Sequence, residues 1–146
     1  MQNEIPSTRV IFFQVRSPIA KLKILCETAK THFKLKEHFL ILVEDATAQE
    51  FVGDLLWKTP ETSFLPHVTA DEMTKEFVAI TKTKNNVNCA KVAFNLCSTP
   101  LVIQDPFRII YEFEDLTNPN KNKLSSLRFD AYKACRFLIE SRAVSA

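Results

Sequence analysis

The chain has 146 residues, enough for one domain with a real core. Its 46% hydrophobic and 25% charged content is ordinary for a soluble globular protein, and a net charge of only +2 is too balanced for a general nucleic-acid coat. The single glycine, Gly53, lies inside a helical pattern, so neither a dinucleotide fingerprint nor a phosphate-cradling loop can be drawn.

Met1–Arg9 is polar and has no apolar centre, which predicts no secretory signal; no run of eighteen apolar residues predicts a membrane span. Arg9–Val15 is a β-branched and aromatic run that reads as a buried strand. Ser17-Pro18 then opens a helix, Ser17 as N-cap and Pro18 at the first helical position. Ile19, Leu22, Leu25, Cys26, Ala29 and Phe33 recur at helical spacing and form its expected inner face. Phe39–Val43 is continuously apolar, as in a parallel strand covered on both sides, and ends in Glu44-Asp45. Thr47-Ala-Gln-Glu50 reads as a capping box for a second helix, with Phe51, Val52, Leu55 and Leu56 as its buried stripe. Strand, helix, strand, helix in this order predicts an α/β layer fold in a single domain, residues 1–146.

Leu55–Val68 departs from that regular pattern. Trp57, the only tryptophan, ends the helix, and Pro60 and Pro66 stiffen the segment beyond it by fixing φ and restricting their neighbours. Phe64 and Leu65 sit between the prolines. Aromatics on a stiff irregular segment are either tucked under the domain or offered to a partner; general burial preferences favour the first. A polar loop, Thr69–Lys75, comes next. Phe77–Thr81 and Lys91–Leu96 read as strands separated by an Asn85-Asn86 turn. A connector bracketed by Pro100 and Pro106 leads to a strand at Phe107–Phe113, with Glu112, Glu114 and Asp115 near its end.

Asn118-Pro119 starts a last helix by the same cap logic, with Leu124, Leu127, Ala131, Cys135 and Leu138 expected toward the core. Beside them Arg128, Tyr132 and Arg136 fall at i, i+4 and i+8, a row with Lys121 at its near end. That row reads either as a solvated basic edge or as a site for an acidic ligand, with Tyr132 giving flat apolar area between guanidiniums.

Catalytic chemistry finds no anchor. His32, His38 and His67 lack i, i+4 partners, the cysteines lack zinc spacing, and there is no G-x-S-x-G elbow, so no metal, cofactor or enzymatic activity is expected. Cys26, Cys89, Cys97 and Cys135 read as reduced, buried thiols of a cytosolic protein. Glu44-Asp45 is the one alternative: carboxylates beyond a strand's carboxyl end could serve a nucleotide- or metal-binding α/β enzyme. The bland reading is that Asp45 or Thr47 caps a helix and Glu44 is solvated.

Taken together, Leu56-Trp57, Pro60, Ser63-Phe64 and Pro66-His67, with Val43-Glu44-Asp45 and Tyr132-Lys133-Ala134-Cys135-Arg136, resemble the chi subunit family of bacterial DNA polymerase III. The resemblance covers most of the chain. It implies a three-layer α/β/α domain with a mostly parallel central sheet and a non-catalytic replication role. One surface would bind the psi subunit of the clamp-loader assembly, or an equivalent partner such as a helicase. A second would bind the acidic C-terminal tail of single-stranded-DNA-binding protein, so that DNA is contacted indirectly. The partner-binding aromatics carry over onto Trp57 and Phe64, with Pro60 and Pro66 between and beside them, which favours their exposure. The tail-binding tyrosine and bases carry over onto Tyr132, Lys133 and Arg136. A family arginine position holds Phe129 and a family lysine position holds Ser125; Arg128 and Lys121 or Lys123 are the local substitutes.

Overall fold

A computed structural model describes residues 8–60, 62–101 and 107–143. The elements are β1 (Arg9–Val15), α1 (Pro18–Lys34), β2 (Phe39–Leu42), α2 (Ala46–Lys58), β3 (Val68–Thr69), β4 (Val78–Thr81), β5 (Val92–Asn95), β6 (Ile109–Asp115), α3 (Pro119–Ala134) and β7 (Leu138–Ala143). The strands form one sheet in the order β3-β4-β2-β5-β6-β1-β7. Every pairing in it is parallel. The α/β class expected from the alternating pattern is what the chain adopts.

Strand residues alternate between two cores, as the period of two requires. Ile11, Phe39, Ile41, Phe94 and Tyr111 pack with Leu25, Ala29, Val52 and Leu56 of α1 and α2. Val10, Phe12, Leu40, Leu42 and Ile110 pack on the opposite face with Tyr132 of α3 and with Val87, Ala90, Cys97 and Leu101 from loops. Three layers result, two helices on one side and one helix plus loops on the other. His32, buried near the end of α1, ties it to β6: Nδ1 lies 2.8 Å from a Glu37 carboxylate oxygen and Nε2 2.7 Å from the Tyr111 hydroxyl.

Both proline-started helices are capped as expected: Ser17 Oγ accepts from the Ala20 N–H and Asn118 Oδ1 from the Lys121 N–H. The second helix is capped earlier than the Thr47 box. Asp45 Oδ1 accepts from the Ala48 N–H at 2.9 Å, and the helix begins at Ala46. Ile19 and Phe51, expected inside, are exposed. Cys26 and Cys97 are buried, but Cys89 and Cys135 are exposed, because each sits in a turn outside the strands and helices that were expected to cover it.

The largest departure is the last helix. It stops at Ala134, and Leu138 belongs to edge strand β7, paired with Arg9 of β1. The stop is a Schellman motif made without glycine. Arg136 takes φ 62°, its N–H bonds the Lys133 carbonyl, and the Phe137 N–H bonds the Tyr132 carbonyl. The ring of Phe137 lies 6.1 Å from that of Tyr132, the apolar contact that usually accompanies this motif. The helix is also turned. Its buried residues are Ser125, Arg128 and Tyr132, whereas Leu127 and Cys135 face solvent and Leu124 and Ala131 are half-buried. Of the expected connector between the prolines, residues 102–106 lie outside the described residues, as do 1–7 of the polar N-terminus. Among the described residues no helix is long and apolar enough to cross a membrane.

Candidate functional site

The segment after α2 is a pinned turn with its aromatics turned out. Thr62, fully buried, donates its hydroxyl to the Leu56 carbonyl at 2.8 Å, and its N–H bonds the Thr59 carbonyl. The Leu65 N–H bonds the Thr62 carbonyl, and the Leu65 side chain enters the core beside α2. His67 is buried beneath the segment, Nδ1 2.8 Å from the Leu65 carbonyl and Nε2 3.1 Å from the Gly53 carbonyl. Both ring nitrogens face backbone carbonyl acceptors, one from the turn and one from α2. Gly53 brings α2 close to β3: a Cβ there would lie 3.2 Å from Thr69 Cγ2.

On this frame Phe64 is 95% exposed and Trp57 is 54% exposed. Trp57 rests one face on His67, ring centroids 4.0 Å apart. Pro60 and Pro66 are exposed beside them. General burial preference would have placed both aromatics inside; it holds for Leu65 alone. Thr62 and His67, which fix the turn, carried no sequence signal as supports, because their partners are backbone carbonyls.

The basic row on α3 divides. Tyr132 is 1% exposed and Arg128 is 7% exposed, so Tyr132 offers no open ring face and the expected stacking surface is corrected. The cause is Glu112, fully buried in β6 on the α3 side of the sheet. A buried carboxylate must be paired and hydrogen-bonded. Arg128 Nε donates to Glu112 Oε1 at 2.9 Å, the Tyr132 hydroxyl to Oε2 at 2.6 Å, and Asn95 Nδ2 to Oε2 at 2.7 Å. The Leu101 N–H in turn donates to the Tyr132 hydroxyl oxygen at 2.7 Å. Burial pushes the Glu112 carboxyl up to about 7, against the pull of Arg128, Tyr132 and Asn95. Burial, then the Glu112 charge, pushes the Tyr132 phenol up as well. Lys121, Lys133 and Arg136 are exposed, Lys121 in the first turn of α3 and the other two at its far end. Lys133 is twelve residue steps along the helix from Lys121, about 18 Å along the axis.

The carboxylate pair is divided too. Asp45 is the N-cap of α2. Glu44 accepts from the Ser98 N–H and hydroxyl, and these two bonds hold its carboxyl below the usual range. Among the described residues no three His, Cys, Asp or Glu side chains gather as a metal set. Glu44, Lys121 and Arg128 all border a cavity of about 380 Å³ outside the carboxyl ends of β2, β5 and β6.

The profile of the family described as DNA polymerase III chi subunit, HolC, matches residues 7–139. No curated relative matches the chain. The match spans nearly the whole sequence, and the chain therefore belongs to the DNA polymerase III chi subunit family, which gives it a replication accessory role.

Proposed function

We propose that this chain is a non-catalytic adaptor in replication. It would join the clamp-loader assembly, through psi or an equivalent partner such as a helicase, to the acidic C-terminal tail of single-stranded-DNA-binding protein, in the cytoplasm and with DNA contacted indirectly. The observation that carries this reading is the outward pair of Trp57, at the end of α2, and Phe64, on the pinned turn that follows it. A rigid aromatic anchor loses little conformational freedom on docking, and aromatic residues dominate interface energetics. Pro60 and Pro66 widen the same apolar face.

For the tail, Lys133 and Arg136 supply accessible cations at the end of α3. Arg128 and Tyr132 serve from inside, by fixing the helix on Glu112. Lys121, at the other end of α3, adds longer-range attraction that salt screens. The test is titration of an acidic peptide ending in an apolar residue, with its terminal carboxylate free or amidated. Binding of the free form that falls about tenfold in Lys133→Glu or Arg136→Glu, with the amidated form weaker throughout, supports this assignment. Equal binding by wild type and both variants would remove it.

A further inference from the structure

The two ends of the sheet are unlike. β3, at one end, is two residues long, which leaves little edge for another strand to use. β7, at the other end, runs for six residues, with no proline and an unbroken register against β1. Among the described residues its outer side pairs with no strand. Leu138, 60% exposed, lies on it. A regular edge of this length, with an exposed leucine, is what soluble proteins normally blunt.

Backbone direction decides which residues the edge offers. The Leu138 N–H bonds the Thr8 carbonyl, just before β1. With a strand period of two, Glu140 and Arg142 also turn their backbone groups toward β1, and Ile139, Ser141 and Ala143 turn theirs outward. A second copy that adds to this edge about a two-fold axis runs antiparallel to the first. Outward residues must then face outward residues, which leaves few registers. An axis at Glu140 sets that carboxylate against its own copy, and an axis at Arg142 does the same with guanidiniums. Axes nearer either end pair fewer residues. An axis at Ser141 joins Ser141 to Ser141 and Ile139 to Ala143 through backbone bonds. It also sets Glu140 of each copy opposite Arg142 of the other, in the closer, non-hydrogen-bonded position. Within one copy Glu140 already contacts Arg9 and Arg142. The dimer therefore exchanges one of these contacts between copies; the ladder supplies the attraction and the charges choose the register. Such charges deter an arbitrary strand and suit this strand's own antiparallel copy.

We propose that β7 is a self-association edge: two copies join antiparallel about an axis at Ser141, continuing the seven-stranded sheet of one into that of the other. This goes beyond the adaptor reading and does not depend on it. The Trp57–Phe64 turn leads into β3 at the far end of the sheet and stays open in each copy.

The test is sedimentation equilibrium of the full chain over rising concentration, with the melting temperature of each variant recorded. Wild type is expected to shift from one chain to two. Glu140→Arg and Arg142→Glu each set like charges opposite one another across the axis, and each alone should dimerise at least about tenfold more weakly. Mixed in equal amounts, the two variants place arginine against glutamate at both positions and should recover a dimer containing one of each. Ser141→Pro removes an outward N–H without taking a bond from β1, and should be monomeric at the wild-type melting temperature. This variant decides the matter if the charge variants melt early. A wild type that stays monomeric throughout, single variants that dimerise as wild type does, folded variants whose mixture stays monomeric, or a dimeric Ser141→Pro would overturn the proposal.

Discussion

The turn between α2 and β3 and the inner stripe of α3 are built from similar residues, aromatics flanked by proline or base, yet they do opposite things. At Thr59–His67 the backbone is satisfied from within by Thr62 and His67, so Trp57 and Phe64 are free to face out. On α3 a buried carboxylate, Glu112, consumes the donors of Arg128 and Tyr132 and turns both inward. An aromatic or arginine at helical spacing thus becomes surface or core according to what the opposite layer demands, and that demand is written elsewhere in the chain.

The sharpest break in this comparison is expected at the buried network. Arg128→Ala would leave Glu112 without its cation and should destabilise the fold by about 3–5 kcal/mol in chemical denaturation. Tyr132→Ala, read from the resemblance alone as a loss of tail binding, should instead cost stability first, about 3–5 kcal/mol as for other large-to-small core changes. At the turn the outcome should invert. Phe64→Ala should change stability by no more than about 0.5 kcal/mol while removing about 2 kcal/mol or more of binding to a psi partner.

The pH response should sharpen the contrast further. Burial raises Glu112 from an ordinary 4.5 to about 7, so the native state holds more protons than the unfolded chain between those values. The contribution of Glu112 is therefore most favourable below about 4.5 and falls as pH rises through about 7. Between pH 5 and 8 the melting temperature of wild type should drop relative to Glu112→Gln, which cannot titrate; parallel curves would show that Glu112 does not change protonation there. The smallest effect belongs to the helix stop. Arg136→Gly relieves a side chain held at φ 62° and should add about 0.5–1 kcal/mol of stability.

Much of this was legible in the sequence. The apolar runs at Arg9–Val15 and Phe39–Val43 and the caps Ser17-Pro18 and Asn118-Pro119 located most of the framework. The end of α3 was not legible, because its left-handed cap is Arg136 rather than glycine, and the spacing of Cys135 and Leu138 imitates a continuing helix. β3 was missed because two residues carry no period. The inner stripe of α3 was misread for a reason the sequence does contain: Glu112 interrupts Ile109-Ile110-Tyr111 and Phe113, and a lone acid in an apolar strand requires a cation from another element. Exposure of Trp57 and Phe64 was legible through the family resemblance and not through residue chemistry.

The most direct test of the adaptor reading is calorimetric titration of the psi subunit from the same cells into wild type, Trp57→Ala and Phe64→Ala, with each melting temperature recorded alongside. The expected result is one-to-one binding by wild type and a loss of at least about 30-fold in each variant at unchanged melting temperature. Wild-type affinity in both variants, or no binding by the wild type to psi or to a helicase from those cells, would contradict it.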